Sequence, residues 1–277
     1  SYTLGLNGPC ISYDTACSAA LSACHAALRA LQLSESTSSI AAGANMMLTP
    51  RVALAFAVAG MTSPSGHSHT FDARADGFTR GEACGAASLN CGESSTSFCG
   101  AAVRQDGKSA SLTAPNGQAQ QGLLAAALAD AGSSAASLTL IEAHGTGTAL
   151  GDPIEVSSLA AVVLAARGSM EAPLPAGAVK ANIGHAEPAA GMTGLLKLAL
   201  GMQKRDAAPN AQLRAINPHV GSLLGGVTCL LPSQLGCLSA TERDGGVSSF
   251  GYSGTIAHVV LRRSTDGVEA KGILVPR

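Results

Sequence analysis

Three short stretches hold side chains that could do nucleophilic or acid–base chemistry. In Asp14-Thr15-Ala16-Cys17-Ser18 a cysteine stands where a polar, β-branched run gives way to alanine-rich helix. A thiol at a helix N-terminus faces unpaired backbone N–H groups and the positive end of the helix dipole. Both favour thiolate, the attacking form. Ala16, Ser18, Ala19 and Ala20 leave room for a substrate, and the same amides could hold the oxyanion of a tetrahedral intermediate. Cys17 is a candidate covalent nucleophile, with a structural cysteine as the other reading. Cys24, two turns along the same helix, reads as core.

The second stretch is IEAHGTGTALGDPIE, Ile141 to Glu155. An apolar strand ends at His144, a Thr-rich loop flexed by glycine follows, and a helix capped by Asp152-Pro153 comes next. An imidazole at a strand end can project into a cleft as hydrogen-bond donor or base, against the plainer reading of a surface polar group. Thr146 and Thr148 offer hydroxyls in a loop whose glycines permit a close backbone path. In the third stretch, VKANIGHAEPAAGMTGLLKL, Lys180 precedes His185 by five residues with Gly184 between them. The lysine's charge could hold the imidazole neutral; a solvated Lys and a satisfied His are the alternative.

The elements that must position these groups alternate. Pro9 to Thr15 reads as extended, Ser18 to Leu31 as helix with Leu21, Leu28 and Leu31 near one face, Ser39 to Asn45 as strand and Pro50 to Ala59 as helix. His67 to Arg80 is a loop, Ala83 to Leu89 a strand, Glu93 to Ser97 a turn and Gln105 to Gln118 a loop. A helix around Gln120 to Ala131 and a strand from Leu138 to Ala143 follow. Pro153 suits a first helical position, opening Ile154 to Ala166. Ala178 to Ala181 reads as strand, Met192 to Met202 as helix, and Val247 to Ser249 and Ile256 to Leu261 as strands around a Gly-rich turn. This alternation indicates an α/β class with helices covering the sheets.

Composition narrows the function. The 277 residues carry a formal net charge of −1 with 3% aromatic residues and no Trp. A nucleic-acid binder needs a basic stripe or a stacking platform, and neither is here. No apolar run is long enough for a transmembrane helix. The opening SYTLGLNGPC shows no basic region followed by an apolar segment, so no signal peptide is visible. The eight cysteines form no CxxC and have no His partners at zinc spacing, so no metal site is expected. Most read as small buried hydrophobes in a reducing compartment, which leads to a cytoplasmic expectation with a plastid or another compartment left open.

Together the motifs are far more specific than any one. DTACS, EAHGTGT with GDPIE, and VKANIGHAE, in this order, resemble the β-ketoacyl synthase family, most closely the ketosynthase domains of type I modular polyketide synthases. FDARADGFTRGEACGA, QDGKSASLTAPNGQAQQ and VSSFGYSGTIAHVVL extend the resemblance over essentially the whole chain. It implies a thiolase-like α/β fold of five layers, αβαβα, and a homodimer. The chain would hold the end of the first half (residues 1–100) and the complete second half (101–277). Family ketosynthases have considerable sequence ahead of the nucleophile, so a fragment that folds poorly alone is expected.

The resemblance also implies roles. Cys17 would take an acyl chain from an acyl carrier protein, its oxyanion held by the N–H groups of Cys17 and Tyr252. His144 and His185 would bind the malonyl-type carbonyl during loss of CO2, with Lys180 supporting them. Thr146 and Thr148 would contact the phosphopantetheine arm. The domain itself would bind no cofactor, the arm acting as substrate carrier. The enzyme class is then an acyltransferase of the 3-oxoacyl-[acyl-carrier-protein] synthase type. The alternatives are a non-elongating ketosynthase that only passes chains on, or a structural fragment. Tyr252 stands where Phe is frequent and Ile256 where Asn is frequent. Tyr252 is the expected gate beside the nucleophile. Cys84 is expected to be packing.

Overall fold

The computed structural model describes residues 1–92, 94–111, 113–168, 172–238, 243–264 and 273–274. The alanine-rich segment forms α1 (Ala19–Gln32), with Leu21, Cys24, Leu28 and Leu31 all buried. Next come β1 (Ser38–Asn45) and α2 (Pro50–Val58), whose N-terminus is capped by Thr49. β2 (Ala83–Asn90) pairs antiparallel with β1, and β3 (Thr96–Gln105) follows. Asn116 starts α3 (Gly117–Asp130) by accepting the N–H groups of Gln118 and Ala119. Then come β4 (Leu138–Glu142), α4 (Gly151–Leu159), β5 (Leu174–Gly177), the single turn α5 (Lys180–Ile183) and α6 (Ala190–Lys204). β6 (Asp206–Ala207), α7 (Pro218–Leu224), β7 (Cys229–Leu230) and β8 (Gly236–Cys237) are short. The chain then forms the long pair β9 (Asp244–Phe250) and β10 (Thr255–Arg263), with β11 (Ile273–Leu274) after them.

Nine strands join in the order β1-β2-β11-β3-β10-β9-β4-β5-β7. β10 runs antiparallel to both β3 and β9, whereas β9, β4, β5 and β7 are parallel to one another. α1 packs on β1, β3 and β10, and α6 on β1, β2, β9 and β4. In that order β1 and β10 are four strand steps apart. α6 meets this sheet on two sides of the helix: Met192 and Leu196 lie against Gly43 and Gly85 of β1 and β2, whereas Leu198 and Met202 lie against Gly245 of β9. The sheet therefore folds around the α1–α6 pair, burying Leu21, Leu28, Phe98, Met192, Leu195 and Val259 in one core. A second core, with Leu123, Leu128, Leu159 and Ile256, lies where α3, with α4 packed against it, covers the opposite face of β3 and β10. The succession β, α, β, α across the molecule is that of a thiolase-like fold.

This arrangement gathers the functional loops. β4, β5 and β9 are parallel, so their C-terminal ends point the same way. His144 follows the first, Lys180 the second and Tyr252 the third. Loop ends at this edge of an open sheet are where α/β proteins place ligands.

Several elements differ from the sequence reading. Ala178 to Ala181 is not a strand: the strand lies four residues earlier, at Leu174–Gly177, and Lys180 opens a helical turn. The run LPAGAVK is all small or apolar before its lysine, with no periodicity to fix the register. Pro9 to Thr15 joins no sheet beyond an isolated bridge at Thr15. Pro153 is the third residue of α4 rather than its first, and Asp152 does not cap it: the N-cap is Leu150, without a side-chain cap. After Leu159 the helix widens into a π segment over Ala160–Leu164. Glu93, in the expected turn, lies outside the described residues. The buried reading of the cysteines holds for Cys24 and Cys99, whereas Cys10, Cys84 and Cys237 are exposed, so Cys84 does no packing.

Candidate active site

Cys17 sits two residues before α1 on a tight turn, with Ala16 held at φ 51°. Two contacts from the β9 end fix this turn. Ser249 Oγ donates to the Cys17 carbonyl at 2.6 Å, and Gly251 lies so close that a Cβ there would stand 2.4 Å from the Thr15 carbonyl oxygen. The first core cluster thus holds the nucleophile turn through α1, and the β9–β10 turn clamps it from above.

His144, His185 and Cys17 come together. His185 Nε2 lies 3.1 Å from Cys17 Sγ, and the two imidazole rings are edge to face with centroids 5.6 Å apart. Phe78 packs on the His185 ring at 4.9 Å and Phe250 on His144 at 5.3 Å. Each ring is also pinned from behind. The Phe250 N–H donates to His144 Nδ1 at 3.3 Å, and the Glu187 N–H donates to His185 Nδ1 at 3.1 Å. A nitrogen that accepts an N–H cannot carry a proton, so in each neutral ring the proton is on Nε2. Both Nε2–H groups point toward the cleft.

The rings are neutral for two physical reasons. Burial pushes both His144 and His185 well below the usual imidazole value, and the positive charge of Lys180 adds to this. Lys180 is itself buried, with its pKa lowered by burial and raised again by Glu142, Glu155, Cys17 and Asp152. It bears on the site through its charge.

One expectation fails. The helix tip was to favour a thiolate, yet burial dominates and raises the Cys17 thiol to about 11. Lys180 and the N–H groups of Tyr252 and Cys17 oppose that rise without overcoming it, and Glu187 adds to it. The resting group is a thiol. The same amides of Tyr252 and Cys17, with His185 Nε2–H, converge on the sulfur and form a donor set for developing negative charge.

Two residues quoted in the GDPIE motif turn out to build the loop. Glu155 is buried, and its carboxylate accepts the N–H of His144 at 2.7 Å and of Gly145 at 2.8 Å. Asp152 accepts from Gly147 at 3.1 Å and Phe71 at 2.8 Å. Burial raises Glu155 to about 7 and Asp152 to about 6. The two carboxylates, three residues apart on one helix face, are the signal that marks them: acids at that spacing beside a glycine-rich loop can bind its amides. Farther back, Glu142 accepts the Val179 N–H at 2.6 Å and pairs with Lys197 at 2.5 Å, fixing the strand end that carries Lys180.

A cleft opens from these groups to solvent, lined by Cys17, His144, His185, Thr146, Thr148 and Tyr252 among others. The hydroxyls of Thr146 and Thr148 are 3.2 Å apart on its wall. The sulfur and the two imidazole nitrogens lie within 4.8 Å of one another, a spacing that would admit a metal ion. Both Nε2 atoms are protonated, however, and both Nδ1 lone pairs face backbone N–H groups. This donor set does not suit a metal.

The fold is thiolase-like, and the cysteine and paired imidazoles sit where its strand ends converge. The chain belongs to the β-ketoacyl synthase family: residues 1–94 match the model of the beta-ketoacyl synthase N-terminal domain and residues 96–214 that of the C-terminal domain. Its relatives include polyketide synthases and solved ketosynthase domains. It is 41% identical over 281 residues to one polypeptide of the phenolphthiocerol/phthiocerol polyketide synthase of Mycobacterium tuberculosis, covering 98% of the chain and 15% of that protein. A second polypeptide of the same synthase is 40% identical, at 98% and 13% coverage. The oxazolomycin ketosynthase domain OzmH KS7 of Streptomyces albus JA3453 superposes with a TM-score of 0.90 at 32% identity, covering 98% of the chain and 49% of the solved one. The module 6 ketosynthase of the Bacillus subtilis 168 bacillaene synthase gives 0.85 at 32% identity, with 95% and 49% coverage. The chain thus spans about half of the solved ketosynthases and a small part of the synthases. Among the described residues no helix is long and apolar enough to cross a membrane.

Proposed function

We propose that this chain carries the decarboxylative condensation of a polyketide ketosynthase. Cys17 Sγ adds to the carbonyl of an acyl thioester on a carrier protein's phosphopantetheine arm. The oxyanion is held by the Cys17 and Tyr252 amides, and the arm leaves as a thiol with the proton from Cys17. Thioesters suit this exchange because sulfur is both good nucleophile and good leaving group. A malonyl-type thioester then occupies the cleft with its carbonyl oxygen between the Nε2–H groups of His144 and His185. Its C–CO2 bond breaks, and the electron pair becomes an enolate stabilised by those two donors. The enolate carbon attacks the acyl-Cys17 carbonyl, a C–C bond forms as the C–S bond breaks, and Cys17 leaves as a thiolate that takes a proton from solvent to restore the thiol.

One observation carries this reading: two buried, neutral imidazoles, each with Nδ1 pinned by a backbone N–H, aim their donors at one cysteine. Neutral donors stabilise an enolate without competing as charged acids. Burial keeps them neutral, and the charge of Lys180 adds to it. Thr146 and Thr148 on the cleft wall suit the amide groups of the arm, and Tyr252, half exposed and edge-on to Phe56, suits a gate at the mouth. The domain would bind no cofactor of its own, and it would work as a homodimer with an acyl carrier protein as partner.

The test is acyl loading from a carrier thioester, read by intact mass. Cys17→Ala should remove the acyl adduct, and His144→Ala should keep the adduct but block extension with a malonyl carrier. An adduct that persists without Cys17, or extension at the native rate without His144, would end the assignment.

A further inference from the structure

The wall of the cleft beside the catalytic trio carries two hydrogen-bond acceptors that nothing among the described residues satisfies. Gln120, on the first turn of α3, is 2% exposed, and its Oε1 has no partner. Asp106, at the end of β3, has a buried Oδ1 that also lacks a partner. Both residues line the same cleft as Cys17, His144 and His185. Buried polar atoms without partners are few in a folded chain, and each leaves a desolvation cost uncompensated. Two in one cleft are a feature of that cleft.

The sign of the missing partner follows from Asp106. An ionised carboxylate offers only acceptors, so what it lacks is a donor. Burial raises the Asp106 pKa, with the Asn116 N–H opposing; the residue as a whole stays partly exposed, and it is Oδ1 that is shut off from solvent. The position is rigid: the Asp106 N–H donates to the Gly254 carbonyl at 2.8 Å, the Asn116 side chain donates to the Asp106 carbonyl at 2.7 Å, and Gln105 Nε2 donates to the Ser253 carbonyl at 3.2 Å. These bonds tie the acceptor wall to the turn that carries the Tyr252 amide. A donor captured at the wall is thereby registered against the oxyanion position.

We infer that Asp106 and Gln120 form a polar subsite that receives a hydrogen-bond donor of the thioester substrate. The inference rests on the acyl-transfer reading above and names a class of substrate group within it. Two parts of such a substrate carry donors: a hydroxyl on the acyl chain near its carbonyl, and the amide N–H groups of the pantetheine arm. A fully saturated acyl chain carries none. The carboxylate selects against chains that would bring only a second acceptor to the wall, because that pairing is repulsive and leaves three polar groups unsatisfied.

The experiment measures acylation of Cys17 by intact mass in the wild-type protein, Gln120→Met and Asp106→Asn, with three thioesters. These are a saturated acyl-pantetheine, its 3-hydroxyacyl counterpart, and the same saturated acyl group on ethanethiol, which lacks the arm. If the donor is on the acyl chain, the wild type loads the hydroxyacyl substrate about five- to tenfold faster than the saturated one, the size of one buried neutral hydrogen bond, and both variants lose that preference. If the donor is on the arm, the variants instead lose the preference for pantetheine over ethanethiol. A wild type with neither preference, or variants that keep both, overturns the inference. A wild type that acylates with none of the three removes the acyl-transfer reading itself, which separates the two failures. Thermal melts of both variants check that the wall, not the fold, has changed.

Discussion

The Glu187 backbone N–H donates to His185 Nδ1, and that single contact decides what the ring presents to Cys17 Sγ on its other side. With Nδ1 occupied as an acceptor, Nε2 must carry the proton. His185 therefore donates toward the sulfur and does not withdraw its proton. Glu187 is held in turn by Arg80, which pairs with its carboxylate, and it adopts a positive φ of 46° to bring its N–H to the ring. The geometry is that of a donor site with a nucleophile in it, which is unlike a thiol paired with a general base.

The first consequence concerns Cys17 reactivity. A thiol raised to about 11 has a thiolate fraction that climbs tenfold with each pH unit below that value. The rate of alkylation by iodoacetamide should therefore keep rising through pH 10, with no plateau near the ordinary thiol value. Lys180→Met removes the cation that lowers the thiol pKa, so alkylation at pH 8 should slow. The same change should raise the pKa of both imidazoles, because the lysine charge holds them down. A plateau near pH 9 in the wild type, or an unchanged rate in the variant, would contradict this.

Glu155 gives a pH signature of stability. Its folded pKa is about 7 against an ordinary 4.5, so the folded state holds the proton more tightly than the unfolded chain does. The stability contributed by the protonated carboxyl is fully present below about pH 4.5 and is lost as pH rises through 7. Glu155→Gln removes this titration and leaves one of the two loop amides without its acceptor, at a cost of about 1–3 kcal/mol. The melting-temperature deficit of the variant should be largest near pH 5 and shrink toward pH 8. A deficit that is constant with pH would show that Glu155 does not titrate in this range.

These consequences also mark what was legible beforehand. Cys17, His144, Lys180 and His185 stand at junctions where a strand or loop meets a helix, and such junctions show in the sequence as sharp changes of pattern. The α/β class and most long elements were legible for the same reason. The thiol's protonation state was not. The helix dipole is local and visible in a sequence, whereas the burial that outweighs it comes from the fold, in which Ser249 and Gly251 of the β9–β10 region, far along the chain, close on the Cys17 turn. The role of Glu155 was marked only by its spacing from Asp152, since its partners are backbone amides turned toward it by the bend at Gly145. β3 escaped because TSFCGAAVRQ is rich in small residues. Gly100 in that strand is required by Ala131, whose backbone nitrogen would lie 2.4 Å from an added Cβ, a tertiary constraint with no sequence trace.

The contact between Gly251 and Thr15 leads to a steric test. An alanine at residue 251 would place its Cβ 2.4 Å from the Thr15 carbonyl and 3.0 Å from that of Thr255. Neither is the end of a flexible side chain, so the backbone must shift. Gly251→Ala should destabilise by about 1–3 kcal/mol, the usual cost of overpacking. It should also move the Tyr252 amide off the Cys17 sulfur and slow alkylation, because that N–H lowers the thiol pKa. A variant with native melting and native alkylation kinetics would show that the two turns are not clamped together.

The last expectation separates this trio from the metal site it resembles by distance. A cysteine and two histidines with ligand atoms within 4.8 Å would ordinarily be a strong zinc-binding set. Zinc needs a lone pair on each ligating nitrogen, so each ring would have to move its proton from Nε2 to Nδ1. There the proton would meet the N–H of Phe250 or Glu187 head on, two donors with no acceptor between them. The positive charge of Lys180 adds a further penalty, and the thiol must also give up a proton that burial holds to about 11. Equimolar Zn²⁺ should therefore leave the rate of Cys17 alkylation unchanged, and Cd²⁺ should produce no thiolate-to-metal ultraviolet band. Protection by Zn²⁺ that EDTA reverses would mean that the rings can turn over. The Nε2–H donors assigned to His144 and His185 would then be one tautomer among two.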